Sequence, residues 1–438
     1  MNDQNRPIEQ IISDGPAGIA SQSGFEPTGQ SGETAADWGL VLICTVGLTV
    51  SMIYLYALGP FIVPVSKAMG WSRGETSAGL TLISLVSVIA APFVGFWVDR
   101  LGSRKIAIIG CMVFCSGISL LSSAGSHWSW LLIWAIVAVG SVLMKPTVWM
   151  SAVAHRFHRR RGLAMGVALT GTGISSALSP VIAGALISSS GWRTAFLVLG
   201  TGSALLLLPL LLFFFRDRPA RSRTSDERND GKGLVGLTIS EGLRSAVFVR
   251  LALAGFLINF SAMGLVVHFV PLLAGERFKM GEATALASLI GVSTIVARLV
   301  TGNLMDRFHA PTVAAIAFSL PIYACLMLLF FDGSVIMAAT IAILIGAAVG
   351  AEVDALAYLS SRYFGMLSFG TLFGSITGAI SLGIGLGPTT AGAIHDAFGN
   401  YQPMFLLILP LVAISVFLIA TLGAYPDHAA RAKIDKGP

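Results

Sequence analysis

Five ionisable side chains interrupt otherwise apolar segments of this 438-residue chain, and they offer two kinds of chemistry. Lys145 and Arg298 are cations that could hold an anion, whereas the acids Glu352 and Asp354 could take up and release a proton. His268 could relay protons, because an unperturbed imidazole titrates near neutral pH. Charged groups are costly in apolar surroundings, so each of these positions is a candidate functional residue.

Lys145 and Glu352 are separated by 207 positions, a spacing that recurs elsewhere in the chain. Two interpretations of these charges remain open. In the first, the two side chains pair across the molecule until a ligand or a proton separates them, which would bias a conformational equilibrium. In the second, Lys145 extends its ammonium group to a polar surface, and Glu352 and Asp354 form a structural network with Arg362.

Several polar or amphipathic side chains lie on the same kind of apolar segment. They could orient an organic anion or stack against an aromatic one, although each alone is equally typical of core packing. His268 could likewise be only the polar tip of a residue near an interface. The four further candidates are Tyr56, Trp149, Asn259 and Tyr358.

A short charged phrase occurs twice, at residues 95–100 and 302–307, each time at the end of a long apolar run. The copies are 207 positions apart, close to half of the chain, which indicates two homologous halves. A carboxylate such as Asp99 can meet the positive N-terminus of a neighbouring helix, and a contact of this kind suits a gate; topology-determining charge with helix capping is the alternative. The candidate gating residues are Gly95, Asp99, Arg100, Gly102, Arg104 and Lys105 in the first copy and Gly302, Asp306 and Arg307 in the second.

Composition predicts the elements that position these residues. Hydrophobic residues make up 55% of the chain and charged residues 11%, whereas a soluble chain carries roughly 25% charge. Runs of about 20 apolar residues, enough to cross a bilayer, recur along the chain, and no water-soluble fold buries so many. The net charge of +6 is explained by basic loops and not by nucleic-acid binding. The predicted spans are 39–66, 78–98, 106–124, 129–151, 163–188, 194–215, 248–273, 284–304, 310–331, 334–356, 367–393 and 402–424.

The basic residues predict the orientation of these twelve spans. Most Lys and Arg residues outside the spans fall in loops that follow even-numbered spans. The positive-inside rule places those loops and both termini in the cytoplasm. The predicted segments are a disordered cytoplasmic tail (1–37), a six-helix bundle (38–215), a cytoplasmic linker (216–247), a second six-helix bundle (248–424) and a cytoplasmic tail (425–438).

The first copy of the phrase, with its Gly, Asp-Arg, Gly and Arg-Lys positions, resembles the loop 2–3 signature of the major facilitator superfamily. The second copy is degenerate, since it lacks the later Gly and the Arg-Lys pair. Phrases at 70–73, 160–164, 191–193, 352–354 and 362–365 resemble bacterial members of the monocarboxylate-porter branch, which includes oxalate/formate exchangers. The resemblance covers about 38–424. It implies an all-α membrane fold in which two pseudo-symmetric six-helix bundles rock around a central cavity lined by spans 1, 4, 7 and 10.

The resemblance also implies residue roles. Arg298 lies in a segment that resembles the monocarboxylate porters, in which this arginine binds the substrate carboxylate; a guanidinium suits that task because it is planar and bidentate. A structural ion pair, or extension of Arg298 to the membrane surface, is the alternative. The sequence departs from the animal porters where Thr294 replaces an acid and Phe61 replaces a lysine. The proton site must therefore lie elsewhere, at Glu352, Asp354 or His268, or the ion coupling differs.

We expect a secondary active transporter that moves a small organic anion, a monocarboxylate or an aromatic acid, by alternating access in symport with protons. An anion exchanger or exporter of the same fold is one alternative, and a non-transporting membrane sensor is another. No catalytic constellation, metal-type cysteine spacing or cofactor motif is present, so an enzyme is not expected. The expected partners are the organic acid, protons and the lipid of the inner cell membrane, without nucleic acid, and the expected state is a monomer.

Overall fold

The computed structural model describes residues 35–157, 161–215, 236–276, 278–365 and 367–426, and these residues are almost entirely helical. The predicted all-α membrane fold is confirmed. The first half of the chain forms α1 (Ala35–Ser51), α2 (Ile53–Tyr56), α3 (Leu58–Met69), α4 (Arg73–Leu101), α5 (Ser103–Leu120), α6 (His127–Leu143), α7 (Pro146–Arg156) and α8 (Arg161–Pro209). The second half forms α9 (Ile239–Arg244), α10 (Ala246–Glu276), α11 (Met280–Arg307), α12 (Ala310–Leu329), α13 (Val335–Phe364), α14 (Phe369–Phe398) and α15 (Gln402–Ala420).

Within the described residues, ten helical stretches are long and apolar enough to cross a membrane. One of them, Leu163–Phe214, has 52 residues, far more than the roughly 20 that a bilayer requires. Gly191 divides it into two arms, because its φ of 79° is incompatible with a continuous helix. The 29-residue helix α4, which has no charged residue between Glu75 and Asp99, supplies one more span. The twelve predicted spans are therefore all present.

Two spans that the sequence predicts as continuous helices are broken in the structure. Span 1 consists of α1, α2 and α3, and Pro60 explains the last break, since its ring clashes with the carbonyl four residues earlier. Span 4 divides into α6 and α7 at Lys145, whose φ of −60° and ψ of 156° are extended. Pro146 follows directly, and a proline disfavours the helical conformation of the residue before it.

The helices form two bundles, α1–α8 and α10–α15, which meet where α4 contacts α14, α8 contacts α11 and α3 contacts α10. We call the end of the molecule at which α1 begins and α15 ends the terminal face, and the other end the opposite face. Arg156 at the end of α7 pairs with Asp37 at the start of α1. Tyr363, near the end of α13, donates a hydrogen bond of 2.6 Å to the carbonyl of Gly423. Both contacts mark the terminal face.

Glycines on α14 show how the separation of the bundles changes between the two faces. Toward the opposite face, a Cβ atom at Gly392 would stand 2.6 Å from the backbone nitrogen of Gly74, and one at Gly385 would stand 2.2 Å from Ser84 Oγ. Toward the terminal face, no atom of the residues that the structure describes lies within 4 Å of a Cβ atom placed at Gly374 or Gly378. The bundles therefore touch at the opposite face and separate toward the terminal face.

The predicted tails and linker fall largely outside the described residues, which include neither 1–34, 216–235 nor 427–438. The described end of the linker contains α9, whose N-terminus has a capping box between Thr238 and Glu241. The amide of Leu237 donates to the carbonyl of Phe364 at 2.8 Å. This contact fastens the end of the linker to the end of α13 at the terminal face.

Candidate functional site

A cavity of about 260 Å³ lies between the first arm of α8, α11 and α13, in the half of the molecule nearer the terminal face. Its walls are mainly apolar, with side chains from Met165, Leu169 and Leu299 among them. Arg298 and Asp354 are the charged residues that line it. An apolar cavity with a single opposed pair of charges is suited to a ligand that has one ionic group and an apolar body.

Arg298 connects the two bundles at this cavity. It lies on α11, and its Nη1 donates to the carbonyl of Leu169 at 3.0 Å and to Thr172 Oγ1 at 3.1 Å, both on α8. Its Nε stands 2.9 Å from Asp354 Oδ2 on α13. The predicted candidates Arg298 and Asp354 are thus brought together, whereas Leu169 and Thr172 were not foreseen.

The contact between Arg298 and Asp354 leaves part of the guanidinium available. The side chains of the pair are 18% and 32% exposed, respectively. The Nε–H group makes no hydrogen bond with suitable geometry, although the carboxylate is close. Nη2 has no hydrogen-bond partner among the described residues. If Asp354 moves aside, Nε and Nη2 can therefore donate two parallel hydrogen bonds to the carboxylate of a ligand.

Two further predicted residues belong to the same electrostatic group. Glu352 is 1% exposed, and its Oε2 has no hydrogen-bond donor among the described residues. It is near enough to Arg298 and Asp354 to interact electrostatically with both. The buried Tyr56 of α2 interacts in the same way with Glu352 and Arg298. The group thus combines one cation with two acids and a phenol at the interface between the bundles.

The structure does not form the pair between Lys145 and Glu352 that their spacing suggests. Lys145 is not among the residues that line the cavity, and it has no ion-pair partner in the described part of the chain. Lys145 and Glu352 occupy corresponding positions in the two halves of the chain. Glu352 lies within a continuous helix, whereas the backbone at Lys145, before Pro146, is extended, so the two side chains do not project in corresponding directions. The alternative network also fails, because Arg362 lies over the ring of Tyr425 at 4.9 Å and not beside the acids.

The remaining predicted ligand-binding side chains have structural contacts. Trp149 is fully buried, donates from Nε1 to the carbonyl of Met144 at 2.9 Å, and so secures the break in span 4. Asn259 donates to the carbonyl of Gly255 at 3.0 Å, and its Oδ1 has no partner among the described residues. Tyr358 is half-buried against the core of the second bundle. None of these three side chains lines the cavity.

The two positions at which the sequence departs from the animal porters are occupied by packing residues. Thr294 is buried and donates from Oγ1 to the carbonyls of Ile290 at 2.8 Å and Gly346 at 3.1 Å. Phe61 is buried and stacks on Phe196, with ring centroids 3.8 Å apart. The acid that pairs with Arg298 therefore comes from α13 and not from α11.

His268 lies apart from this group, toward the opposite face. Its Nδ1 is 2.8 Å from the hydroxyl of Tyr401, and its Nε2 is 2.8 Å from the carbonyl of Pro388. The interpretation of His268 as an interfacial polar tip is wrong, because the side chain is only 2% exposed and uses both ring nitrogens. His268 does not line the cavity, so its role in proton transfer stays a prediction.

Both copies of the repeated phrase lie at the terminal face. The first ends α4 and continues through Gly102, whose φ is 83°, into α5. Arg104 donates to the carbonyls of Leu211 and Leu212 at 3.3 and 2.5 Å, while Lys105 is exposed. In the second copy, Gly302 lies on α11 and Asp306 and Arg307 are exposed at its end. The side chain of Asp99 is outside the described part of the structure, so the gating role of the phrase remains a prediction, as it does for Gly95 and Arg100.

Comparison with known proteins identifies the family. The sequence model described as Major Facilitator Superfamily matches residues 44–377. The MFS-type transporter YcxA of Bacillus subtilis is 24% identical, and the match covers 84% of this chain and 81% of YcxA. Monocarboxylate transporter 13 of Rattus norvegicus is 25% identical, with 88% of each chain covered.

A solved structure has the same fold. A bacterial homologue of the human lysosomal transporter Spinster, in an inward-facing and unoccupied conformation, superposes with a TM-score of 0.64 at 18% sequence identity. The superposition covers 89% of this chain and 95% of the other. This likeness concerns the fold alone, and it agrees with the two-bundle architecture described above.

Proposed function

Because the chain belongs to the major facilitator superfamily, we propose that it is a secondary transporter that moves a small organic anion in symport with a proton. The observation that carries the proposal is the guanidinium of Arg298, which lines an apolar cavity between the bundles and whose Nε–Nη2 edge faces only Asp354 among the described residues. A monocarboxylate or an aromatic acid fits these features, since each combines one carboxylate with an apolar body. The name of the related monocarboxylate transporter 13 supports the same substrate class.

Asp354 gives this site a means of coupling anion binding to a proton. Without substrate, its carboxylate neutralises Arg298 at 2.9 Å. A substrate carboxylate that takes the Nε–Nη2 edge displaces Asp354, which is then left as an unpaired carboxylate in a low-dielectric site. Taking up a proton removes that charge, so one anion and one proton are bound together. The buried Glu352, which is electrostatically coupled to Asp354, is the acid through which we propose the proton moves.

We assign the terminal face to the cytoplasm of the cell membrane. The support for this orientation is the concentration of Lys and Arg in the loops at that face, which include Arg104, Lys105 and Arg307. In this orientation the structure has its cavity in the cytoplasmic half and its bundles closed at the outer side. Alternating access then requires the outer side to open while the cytoplasmic side closes.

The proposal is tested by uptake into proteoliposomes that contain the purified full chain. A panel of formate, oxalate, lactate, benzoate and phenylacetate is offered with and without an inward proton gradient. We expect a proton gradient to drive accumulation of the monocarboxylates with an apolar body, and not of oxalate. Counterflow that is unaffected by the gradient, with no proton-driven accumulation, would favour an exchanger instead.

The variant Arg298→Lys isolates the bidentate contact, because lysine keeps the charge but loses the planar fork. We expect uptake to fall by at least about tenfold, which corresponds to about 1.4 kcal/mol. Arg250→Lys is the matched control, since Arg250 donates to the carbonyl of Thr421 at the terminal face and lies outside the cavity. Equal uptake by both variants would contradict carboxylate recognition by Arg298.

A further inference from the structure

Four residues join the two bundles at the opposite face, far from the cavity. Arg73 begins α4 in the first bundle, whereas His268, Asp396 and Tyr401 belong to the second. We call these four residues the opposite-face latch. The proposed substrate and proton chemistry uses none of them.

Asp396 of the second bundle completes the hydrogen bonding of α4 in the first. The N–H groups at the start of a helix have no partner within it. Ser72 and Glu75 satisfy two of those at the start of α4 through a capping box. The two amides between them are satisfied by Asp396, because the amide of Arg73 donates to Oδ1 at 2.9 Å and that of Gly74 donates to Oδ2 at 2.8 Å. A carboxylate also lies favourably at the positive end of the helix dipole.

The absence of a side chain at two glycines makes this contact possible. A Cβ atom at Gly74 would stand 3.1 Å from the backbone nitrogen of Ala393 and 3.2 Å from Asp396 Oδ2. A Cβ atom at Gly392 would stand 2.6 Å from the Gly74 nitrogen. The backbones of α4 and α14 are therefore in direct contact where Asp396 binds, and water has no room between them.

Tyr401 extends the latch from Arg73 to His268. Arg73 Nη1 donates to the Tyr401 hydroxyl at 2.7 Å. Because the carbonyl of Pro388 can only accept, the proton of the neutral imidazole is on Nε2, and Nδ1 accepts from Tyr401 at 2.8 Å. Burial is the main reason that the pKa of Tyr401 is raised to about 12, so the hydroxyl keeps the proton that it donates.

We propose that the opposite-face latch holds that face closed and must be broken before the cavity can open to that side, an inference that rests on the alternating access of the proposed function. Asp396 and Tyr401 of the second bundle accept three hydrogen bonds from Arg73 and its neighbour Gly74 in the first, so a separation of the bundles at this face breaks all three together. The amides of Arg73 and Gly74 then lose their acceptors and must bind water. Asp396 at this face thus has the role that the sequence predicts for Asp99 at the other.

The test measures how often the opposite face opens in the purified full chain in lipid nanodiscs. Ser176 is 1% exposed and borders a small void between the bundles with Tyr56 and Gly59. The substitution Ser176→Cys places a thiol there, and its modification by a maleimide is followed by mass spectrometry. The native Cys325, which is fully buried in the second bundle, is the internal control for general loosening of the protein.

Asp396→Asn removes the charge and one of the two acceptors, and we expect the thiol at position 176 to react about tenfold faster. Tyr401→Phe, which keeps the ring but removes the hydroxyl that accepts from Arg73 across the interface, should accelerate the reaction about threefold. Asp332→Asn is the matched control, because Asp332 is exposed at the same face and accepts from Ser334 in its own bundle. Cys325 should stay unreactive in every variant.

Reaction rates for Asp396→Asn and Tyr401→Phe within about twofold of Asp332→Asn would overturn the latch. Equal acceleration at position 176 and at Cys325 would also overturn it, because the substitution would then loosen the fold and not open one face. The assay contains no substrate, so its result is independent of whether Arg298 binds a carboxylate. Failure of the latch and failure of the proposed transport function are therefore distinguishable.

Discussion

The substitution Asp354→Asn separates the two tasks that we assign to the acid beside Arg298. In the proposed mechanism, a substrate carboxylate competes with Asp354 for the guanidinium in the wild type, since Nε is 2.9 Å from Oδ2. Two unit charges 4 Å apart interact by roughly 4 kcal/mol at an effective dielectric constant of 20, whereas exposed pairs are worth about 0.2–1 kcal/mol. This pair is partly exposed, so we take about 1.4 kcal/mol, a factor of about ten in affinity.

Removing the competitor should therefore strengthen substrate binding while it abolishes proton coupling. We expect the Kd for the best carboxylate of the panel, measured by titration calorimetry, to fall about tenfold. Accumulation driven by a proton gradient should fall by at least about tenfold, because an amide takes up no proton in this range. Counterflow without a gradient should persist, since Arg298 and the cavity are retained.

This combination of tighter binding with lost accumulation distinguishes a competing counter-ion from a structural one. Weaker binding in Asp354→Asn would mean that the carboxylate positions Arg298 for the substrate, and the reasoning above would be refuted. Retained proton-driven accumulation would refute the coupling role alone. Asp332→Asn is the matched control, because that exposed carboxylate at the opposite face is remote from the cavity.

Two further substitutions test the neighbouring charges. Glu352→Gln should lower proton-driven accumulation at least about tenfold and change the Kd less than Asp354→Asn does, because Glu352 interacts with Arg298 at longer range and makes no direct ion pair with it; unchanged accumulation would exclude Glu352 from the proton path. Lys145→Gln should leave both quantities within about twofold, since Lys145 does not line the cavity, and a large loss of anion affinity would restore it to the binding site.

The membrane fold was predictable because it depends on properties that a sequence carries locally. The bilayer core offers no hydrogen-bond partner to the backbone. Each long apolar run must therefore satisfy its own N–H and C=O groups, and it does so as a helix. The repeated phrase with Asp306 and Arg307 could be assigned to a helix end because charge is expelled from the apolar interior. The same reasoning could not find the break at Lys145, where the local preference imposed by Pro146 overrides the continuous apolar pattern.

The partners within the site were less predictable, because they depend on the direction of side chains around a helix axis. The spacing of 207 positions places Lys145 and Glu352 at equivalent positions along their two helices, but it does not show which side chains face each other. In the structure the acid that meets a cation is Asp354, which lies beside Arg298. Contacts from Leu169 and Thr172 have no signal in a single sequence, since a backbone carbonyl and a hydroxyl on an apolar helix are present in almost any span. Such contacts follow from how the bundles pack.

Arg298 and the opposite-face latch lie toward different ends of the same interface between the bundles. Arg298 holds Leu169 of the first bundle and Asp354 of the second, while Asp396 of the second bundle binds the start of α4 in the first. A substrate can shift the balance between two states only by its difference in affinity for them. In the proposed transport cycle the latch favours the state that is open at the terminal face, so the substrate must gain contacts when that face closes. The α8 wall of the cavity, at Leu169 and Thr170, is the surface that can supply them, because it belongs to the bundle that moves relative to Arg298.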